Sequence, residues 1–282
     1  MKMIKPIVNL SKVIDAYDAV VCGFNGVLHN GVAFIPEAME TLIELYRQGK
    51  KIVLISNSAM RVEELCRLFH QAGYSPKLFS AMVTAGEVLH YRLPSFGLQE
   101  NYYLLGDQNA ESVFDDLRYT KVSDLNKADF VYIGNLPDGN GVDVYLDDLH
   151  HAVSLGLPLV CVGNDTSALW GDDVVSAAGA LAEQYAVLGG KIITTGKPDA
   201  KIVEYALGAL ADIERKKILF IGDSIPTDIK AAGQIGLSSC LITRGIHTNY
   251  LGEGYIPDVG KTRELGNMLE AYPDYVISKL RW

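Results

Sequence analysis

The sequence predicts an α/β fold with a doubly wound parallel sheet that is interrupted by a smaller α/β insertion. Apolar runs that are too short for helices alternate along the chain with segments of helical periodicity. That order is typical of a parallel sheet with helices on both faces. With 282 residues, the chain is long enough for one large domain or two modest ones.

The first predicted elements alternate between strand and helix. A strand at Ala19–Cys22 precedes a turn rich in Gly and Asn, and the segment Pro36–Gln48 carries apolar residues on one helical face. A strand follows at Lys51–Ile55, and a second amphipathic helix begins near Arg61 and ends at Gly73. These segments predict two successive strand-helix units.

A second series of elements, between about Ser80 and Gly190, forms the predicted insertion. Its elements are a helix over Thr84–Tyr91, strands at Tyr102–Leu105, Phe130–Ile133 and Leu159–Val162, and a helix over Val144–Leu155. These elements predict a compact α/β unit of its own.

After about Ile192 the pattern returns to long helices and buried strands. The predicted elements are a helix over Ala200–Ile213, a strand at Ile218–Ile221, a helix over Asp228–Gln234 and a strand at Cys240–Ile242. The segment Tyr275–Ile277 is expected to add one edge strand.

Composition and charge exclude several kinds of partner. The chain has 34 acidic and 25 basic residues, a net charge of -9, and no basic stripe that could attract nucleic acid. It has no run of 18 apolar residues and no signal-peptide pattern, so we expect a cytoplasmic protein with no membrane partner. Its four cysteines are widely spaced and lie in apolar runs, which indicates reduced core thiols.

Polar residues directly after the predicted strands are the candidate site residues, because ligands of open α/β sheets bind at the carboxyl ends of the strands. Four such segments stand out: Gly23–Leu28, Ser56–Ser58, Gly196–Pro198 and Gly222–Asp228. Ser56 and Asn57 can hydrogen-bond phosphate oxygens, and Lys197 supplies a point positive charge. Asp223 and Asp228 offer the hard oxygen ligands that Mg²⁺ requires. The set predicts a site for an anion and a divalent cation.

Other phosphate-binding patterns do not fit these segments. Lys197 is followed by Pro198, and no Gly stands five residues before Gly196, so a Walker motif is excluded. No G-x-G-x-x-G segment follows a strand. Each segment alone has a structural interpretation as a turn or a helix start. All four together, in chain order and with the insertion between the second and the third, favour a binding site.

The four segments resemble the motifs of the haloacid dehalogenase (HAD) superfamily, specifically its type IIA branch of NagD-like sugar- and nucleotide-phosphate phosphatases. In chain order the motifs correspond to Gly23–Leu28, Ser56–Asn57, Lys197, and Asp223 with Asp228. In the insertion, Asn164 and Asp165 stand where this branch often has an Asn-Pro-Asp turn, so the resemblance implies a substrate loop of the cap there. It also implies a HAD Rossmann-like core domain made of residues 1–80 plus 191–282, with an inserted α/β type IIA (C2) cap domain made of residues 81–190.

The first motif departs from the family pattern Asp-x-Asp-Gly-x-Leu at both aspartates. In the family the first aspartate attacks phosphorus and the second transfers protons, whereas this chain has Gly23 and Asn25. The resemblance thus implies a vacant nucleophile position and a degenerate acid/base position, and hydrolysis by the family route should be undetectable. Mg²⁺ would keep the Asn25 backbone carbonyl, Asp223 and Asp228, and we expect its binding to be weakened.

No neighbouring side chain is a good substitute nucleophile. Cys22 should point away from the site, because successive side chains of a strand alternate between its faces. His29 lies in the loop that faces the cap, where a single histidine is more often solvated or stabilises a turn.

Three functions are compatible with this site. The first is binding, without turnover, of phosphate or a small phosphorylated metabolite such as a sugar or nucleotide phosphate. The second is slow Mg²⁺-dependent hydrolysis of a phosphomonoester by a water at the position of Gly23. The third is an interaction protein that forms a homodimer through the cap, for example through the helix at Val144–Leu155.

Overall fold

The computed structural model describes residues 3–107, 110–136 and 141–282. In these residues two parallel sheets are covered by helices, and a short antiparallel hairpin accompanies them. The predicted α/β class is therefore confirmed. In chain order the strands are β1 (Lys5–Pro6), β2 (Ala19–Gly23), β3 (Lys51–Ser56), β4 (Ala81–Thr84), β5 (Asn101–Leu105), β6 (Thr120–Val122), β7 (Phe130–Ile133), β8 (Leu159–Val162), β9 (Ser167–Trp170), β10 (Asp173–Ser176), β11 (Ile192–Thr195), β12 (Ile218–Gly222), β13 (Ser238–Ile242) and β14 (Tyr275–Ile277).

The helices fill the connections between these strands. Short 3-10 helices cover Leu10–Lys12, Ile14–Ala16, Pro76–Leu78, Leu93–Phe96, Ser112–Phe114, Leu125–Lys127, Val142–Tyr145 and Arg215–Lys217, and a π-helix covers Ile225–Ile229. The α-helices are α1 (Pro36–Arg47), α2 (Val62–Gln71), α3 (Ala85–Arg92), α4 (Leu146–Ser154), α5 (Ala178–Val187), α6 (Ala200–Gly208), α7 (Lys230–Gln234), α8 (Thr248–Leu251) and α9 (Val259–Leu269).

The larger sheet, called the core sheet, contains seven of the described strands in the order β1-β14-β13-β12-β2-β3-β4. All its neighbouring pairs are parallel. Strand β2 lies between β12 and β3, with Cys22 opposite both Ile221 and Leu54. The segments that follow β2, β3 and β12 therefore emerge side by side, which places three of the four predicted motifs together.

Both faces of the core sheet are buried, and this explains its uninterrupted apolar strands. Val21 and Val53 pack into one cluster of core residues, whereas Val20 and Ile52 pack into another. Since successive strand residues point to opposite faces, each strand must be apolar at every position. One expectation is wrong here: the tail strand β14 is not an edge, because β1 pairs along its outer side.

The smaller sheet, called the cap sheet, has five of the described strands in the order β11-β8-β7-β5-β6, all parallel. Strand β4 pairs in the core sheet, whereas β11 pairs in the cap sheet. If the chain is divided by sheet, it leaves the core sheet after Thr84 and leaves the cap sheet after Thr195. The sequence-derived bounds, after residues 80 and 190, stay a prediction.

The antiparallel pair β9 and β10, called the cap hairpin, was not predicted from the sequence. Its strands pair Trp170 with Asp173 and leave Gly171 and Asp172 as the turn. The Gly171 N–H donates to the Asn30 carbonyl at 2.9 Å. The hairpin therefore reaches across from the cap and contacts the loop that follows the first motif.

Helix α1 shows how the local sequence sets an element. Pro36 stands in its first turn, where a missing N–H costs nothing, and Gly49 with φ of 73° follows its end. Met39, Leu42 and Leu45 are fully buried on one face. Each such burial contributes about 1.5–3 kcal/mol relative to an exposed side chain.

The cysteines bear out the expectation of free thiols that lie mostly in the core. All four cysteines are free thiols, and Cys22, Cys161 and Cys240 are buried while Cys66 is half-buried. In the described part of the chain, the helices are all too short or too polar to span a membrane.

Candidate ligand-binding site

The polar ends of the core strands meet the cap at a cavity of about 80 Å³, called the inner pocket. The predicted site residues that line it are Asn25, Ser56, Asn57, Asp165, Lys197, Asp223 and Asp228. Gly23 and Asn164 are not part of its lining, although both lie within two residues of a lining residue. The structure thus brings together most of the side chains that were selected from the sequence.

A buried ion pair forms the centre of the inner pocket. The Lys197 Nζ donates to Asp228 Oδ1 at 2.6 Å, and both side chains are at most 5% exposed. The other oxygen, Asp228 Oδ2, accepts the backbone N–H groups of Asp223 and Ser224 at 3.1 Å each. Both carboxylate oxygens of Asp228 are therefore engaged by the protein, which fixes Lys197 and the turn after β12. A role for Asp228 as a direct Mg²⁺ ligand stays a prediction.

Glycine is required at the end of β12 because Asp228 lies so close to it. A Cβ on Gly222 would stand 2.2 Å from the Asp228 Cγ. The Gly-Asp sequence of the fourth motif thus has a steric reason, separate from any contact with ligand.

The inner pocket holds three carboxyl groups and one ammonium group, and their burial and proximity shift the pKa values of Lys197, Asp223 and Asp165. Burial would lower the pKa of Lys197, but Asp228 and Asp165 outweigh that effect and raise the pKa. Burial, and then the charge of Asp228, raises the pKa of Asp223 well above its usual range. Desolvation also raises the pKa of Asp165. Lys197 is therefore held protonated, while the carboxyl groups of Asp223 and Asp165 resist ionisation.

Asn57 connects three parts of the site through its side-chain amide. Its Oδ1 accepts the Lys197 backbone N–H at 2.6 Å, and its Nδ2 donates to the Lys197 carbonyl at 3.1 Å and to Asp165 Oδ2 at 2.9 Å. Asp165 Oδ1 in turn accepts from the Thr227 hydroxyl at 2.7 Å. The amide of Asn57 is thus used to position Lys197 and the cap loop, and its predicted contact with phosphate stays a prediction.

Asn164 supports the same loop from the cap side. Its Nδ2 donates to the carbonyl of Lys197 at 3.0 Å. Gly196 adopts φ of 116°, and a Cβ there would lie 2.6 Å from Asn57 Oδ1. The Gly-Lys pair of the third motif is therefore held by asparagines from both domains.

Gly23, the last residue of β2, is not required by the backbone. Its φ lies outside the left-handed region, and a Cβ built on it would meet Val27 Cγ2 at 3.2 Å and the Ile221 carbonyl oxygen at 3.4 Å. Only a small adjustment of Val27 is needed to place a side chain there. The strand end therefore has room for a Cβ after that adjustment, and its role as a vacant nucleophile position stays a prediction.

The Asp223 side chain packs closely against two turns, one at Gly26 and one at Gly245. A Cβ on Gly26, which has φ of 75°, would overlap the Asp223 carboxylate, and a Cβ on Gly245 would lie 2.3 Å from the Asp223 Cβ. The Asp223 Oδ2 accepts the Ile246 backbone N–H at 3.0 Å. Asn25 is exposed beside these turns at the mouth of the pocket.

Cys22 is excluded as a nucleophile, as predicted. It is fully buried in the core, and its Sγ donates to the Gly23 carbonyl at 3.3 Å. Burial raises the pKa of its thiol far above neutrality. The group is therefore an uncharged core side chain.

A second cavity of about 400 Å³, called the outer pocket, continues from the inner one. Both are lined by Asn25, Ser58, Asn135, Ala168, Leu169, Ala177 and Ala178. The outer pocket adds Phe24, His29, Met60 and Leu136, and it adds Trp170 from the cap hairpin. The two cavities are the deep and the shallow parts of one cleft between core and cap.

Sequence reasoning missed three contributors to this cleft. Thr227 stands inside the fourth motif, so its hydroxyl was visible as a candidate after β12. The Gly171-Asp172 turn between two apolar runs is a recognised hairpin signal and could have revealed Trp170. Ile246 gave no chemical signal, because its contribution is a backbone N–H.

Family models of the haloacid dehalogenase-like hydrolases match nearly all of the chain. One model described by that name matches residues 96–236, another matches residues 20–120, and a HAD-hydrolase-like model matches residues 194–281. The chain belongs to this family, in its NagD-like type IIA phosphatase branch. Phosphatases of the family generally use Mg²⁺.

Individual relatives agree with this assignment. The ribonucleotide monophosphatase NagD of Escherichia coli is 28% identical over 237 residues, which are 80% of this chain and 88% of NagD. The sugar-phosphatase AraL of Bacillus subtilis is 27% identical over 250 residues, 83% of this chain and 86% of AraL. A haloacid dehalogenase-like hydrolase of Brucella suis has a crystal structure that superposes with a TM-score of 0.81 at 28% identity, over 96% of this chain and 98% of the other.

Proposed function

We propose that this protein binds a small phosphorylated metabolite, such as a sugar or nucleotide phosphate, without hydrolysing it by the family mechanism. The proposal is carried by one contrast. Gly23 and Asn25 occupy the positions at which the family has its two catalytic aspartates, whereas Lys197 and Asp223 are both present in the pocket. The ligand class is supported by two relatives, named as a ribonucleotide monophosphatase and a sugar phosphatase.

The phosphate group would be held by Lys197 and Ser56. The Ser56 Oγ accepts the Ser58 N–H at 3.1 Å, so its own proton is directed elsewhere and can be donated to a phosphate oxygen. Lys197 supplies a charge that is fixed in place by Asp228 and Asn57. Asn57 acts in this proposal as a positioning residue rather than as a direct ligand.

Mg²⁺ fits this site only as an ion that the phosphate helps to hold. Among the residues that the structure describes, no group of three or more His, Cys, Asp or Glu side chains is placed to hold a metal ion. Asp223 and the Asn25 carbonyl would supply protein oxygens, and Mg²⁺ commonly combines one or two carboxylates with substrate phosphate. When bound, the ion would offset the negative charge that three carboxylates impose on an entering phosphate.

The absence of family chemistry follows from the two substitutions in the first motif. Glycine offers no atom to attack phosphorus, and loss of a nucleophile costs roughly a million-fold in turnover. Asparagine does not exchange a proton near neutral pH, and loss of an acid or base costs about a hundred- to ten-thousand-fold. Residual hydrolysis would have to use a water molecule in place of an aspartate.

Calorimetric titration with inorganic phosphate and with ribose 5-phosphate, in buffer containing Mg²⁺, tests the proposal. We expect both to bind the unmodified protein and neither to bind a Lys197→Met, Asp228→Asn variant, which removes the ion pair without leaving one charge buried alone. Lys51→Met is the matched control, since Lys51 pairs with Asp212 at 2.9 Å on the exposed surface. Failure of the unmodified protein to bind either ligand would overturn the proposal and favour an interaction protein with a relic site.

Two finer predictions accompany the proposal. A homodimer through the cap is supported by the exposure of Val144, at 65%, and Leu155, at 42%, at the two ends of the helical segment that contains α4. The lack of a nucleic-acid partner rests on the net charge of -9 and the absence of a basic stripe.

A further inference from the structure

We propose that the ligand carries its single phosphate on an uncharged or cationic ring-sized group, and that the outer pocket rejects ligands with a second anionic group. The inference rests on the proposed function, since the phosphate of the ligand must occupy the inner pocket. Three features of the outer pocket support the inference: the charges of its lining, its aromatic side chains and the ring N–H of His29.

Among the residues that the structure describes, the cleft has no basic side chain left over for a second anion. Lys197 is the only Lys or Arg among the described residues that line either cavity, and it is already paired with Asp228. The same lining contains Asp107, Asp165 and Asp223 as further acidic residues. The segments 108–109 and 137–140, which lie outside the described residues, contain no Lys or Arg in the sequence. In the outer pocket a second carboxylate or phosphate on the ligand would thus meet Asp107 and neutral groups, and no basic side chain among the described residues.

The histidine of the outer pocket does not supply that positive charge. The Gly31 N–H donates to His29 Nδ1 at 3.0 Å, so this nitrogen is an acceptor and the ring is neutral. Burial lowers the pKa of His29, which agrees with the neutral form. The proton of the ring is therefore on Nε2.

His29 Nε2 is suited to contact the ligand. The side chain is only 8% exposed and lines the outer pocket. Its ring stacks on Phe24 with centroids 5.3 Å apart and planes 18° from parallel, and Phe34 packs against it edge-on. This packing fixes the ring, so that its N–H can select a ligand that presents an oxygen or nitrogen acceptor.

An indole from the cap completes the outer pocket. Trp170, at the end of β9, is 42% exposed. A Cβ on Gly31 would lie 3.1 Å from the Trp170 ring and 2.2 Å from the Leu169 carbonyl, so the absence of a side chain there lets the cap hairpin approach the core. Met60 and Leu136 add apolar surface nearby. A planar ring is the group that best matches an exposed indole face next to apolar side chains.

Three phosphate esters of matched shape test the inference: phenyl phosphate, para-(aminomethyl)phenyl phosphate and para-carboxyphenyl phosphate. Their dissociation constants are measured by calorimetry at neutral pH with Mg²⁺, beside inorganic phosphate. We expect the neutral and cationic esters to bind at least about tenfold more tightly than the carboxylate ester, because like charges face it in a partly desolvated cleft.

Two variants connect the selectivity to the named residues. Trp170→Ala should weaken the binding of phenyl phosphate about fivefold, because one aromatic contact is lost, and should leave the binding of inorganic phosphate unchanged. Val175→Lys, which places a cation on the lining of the outer pocket, should improve binding of the carboxylate ester most. Tyr91→Ala is the control for Trp170→Ala, since Tyr91 is 72% exposed and lies outside both cavities.

The outcomes separate the two proposals. If inorganic phosphate binds but the three esters bind equally, or the carboxylate ester binds most tightly, the inference about the outer pocket is overturned while phosphate binding stands. If neither inorganic phosphate nor any ester binds, the proposed function fails and the inference fails with it. An equal effect of Trp170→Ala on phosphate and on phenyl phosphate would show that the indole only supports the fold.

Discussion

Restoring the two aspartates of the first motif should convert this protein into a phosphatase. The structure allows the change at Gly23, because its φ suits any residue and the new Cβ would stand 3.2 Å from Val27 Cγ2. Asn25 is exposed, so Asn25→Asp needs no repacking. The double variant Gly23→Asp, Asn25→Asp is therefore expected to fold.

The expected gain is large because the two groups act as a unit. A nucleophile contributes roughly a million-fold to turnover, and a general acid or base about a hundred- to ten-thousand-fold. The turnover rate of the double variant should exceed that of each single variant by at least about a hundredfold. Its cost in stability should be about 1–3 kcal/mol, from the contact with Val27 and from a further carboxylate near Asp223.

The assay is Mg²⁺-dependent hydrolysis of para-nitrophenyl phosphate by the unmodified protein, both single variants and the double variant. Adding Asp223→Asn to the double variant is the control for the active site, since it should remove the activity while preserving the acceptor for the Ile246 N–H. Urea denaturation of each variant measures the free energy of unfolding and separates lost activity from lost structure.

Two results would refute the reasoning. If the unmodified protein hydrolyses the ester as fast as the double variant, another group supplies the nucleophile and Gly23 is not a lost position. If the double variant is folded, binds phosphate and remains inactive, the carboxyl end of β2 does not present the two aspartates to the bound phosphate as in the family.

Three further predictions concern the buried charges. Lys197→Met should lower the free energy of unfolding by about 3–5 kcal/mol, because it leaves Asp228 buried and unpaired, and adding Asp228→Asn should recover most of the loss in urea denaturation. The raised pKa means that folded Asp223 binds a proton more tightly than unfolded Asp223, so the contribution of Asp223 to stability should be lost as pH rises from about 4 to about 8. The melting temperature of Asp223→Asn should therefore rise relative to that of the unmodified protein over this range, and parallel profiles would contradict this. His247 Nε2 accepts the Ile225 N–H, and burial lowers the pKa of His247 to about 4. The contribution of His247 to stability should therefore decrease by up to about 3 kcal/mol as pH falls from about 6.5 towards that value, and a His247→Gln variant that loses as much stability would refute this.

The sequence by itself determined the buried strands and the order of the motifs. Phe130–Ile133 and Leu159–Val162 were predicted with the bounds that the structure shows, because a strand buried on both faces must be apolar at every residue. Ala81–Thr84 and Ser167–Trp170 escaped prediction because most of their residues are half-buried or exposed and each has an apolar run of only three residues. Local sequence also placed the polar segments after β2, β3 and β12.

Only the tertiary structure decided how the site side chains are used. Asn57 meets Asp165 across 108 residues of sequence and Lys197 across 140, so no local pattern could show that its amide is already committed. Asp228 has the sequence of a metal ligand, yet both of its oxygens accept hydrogen bonds from the protein. The physical reason is that residue types limit which contacts are possible, whereas the packing of the cap against the core selects which of them form.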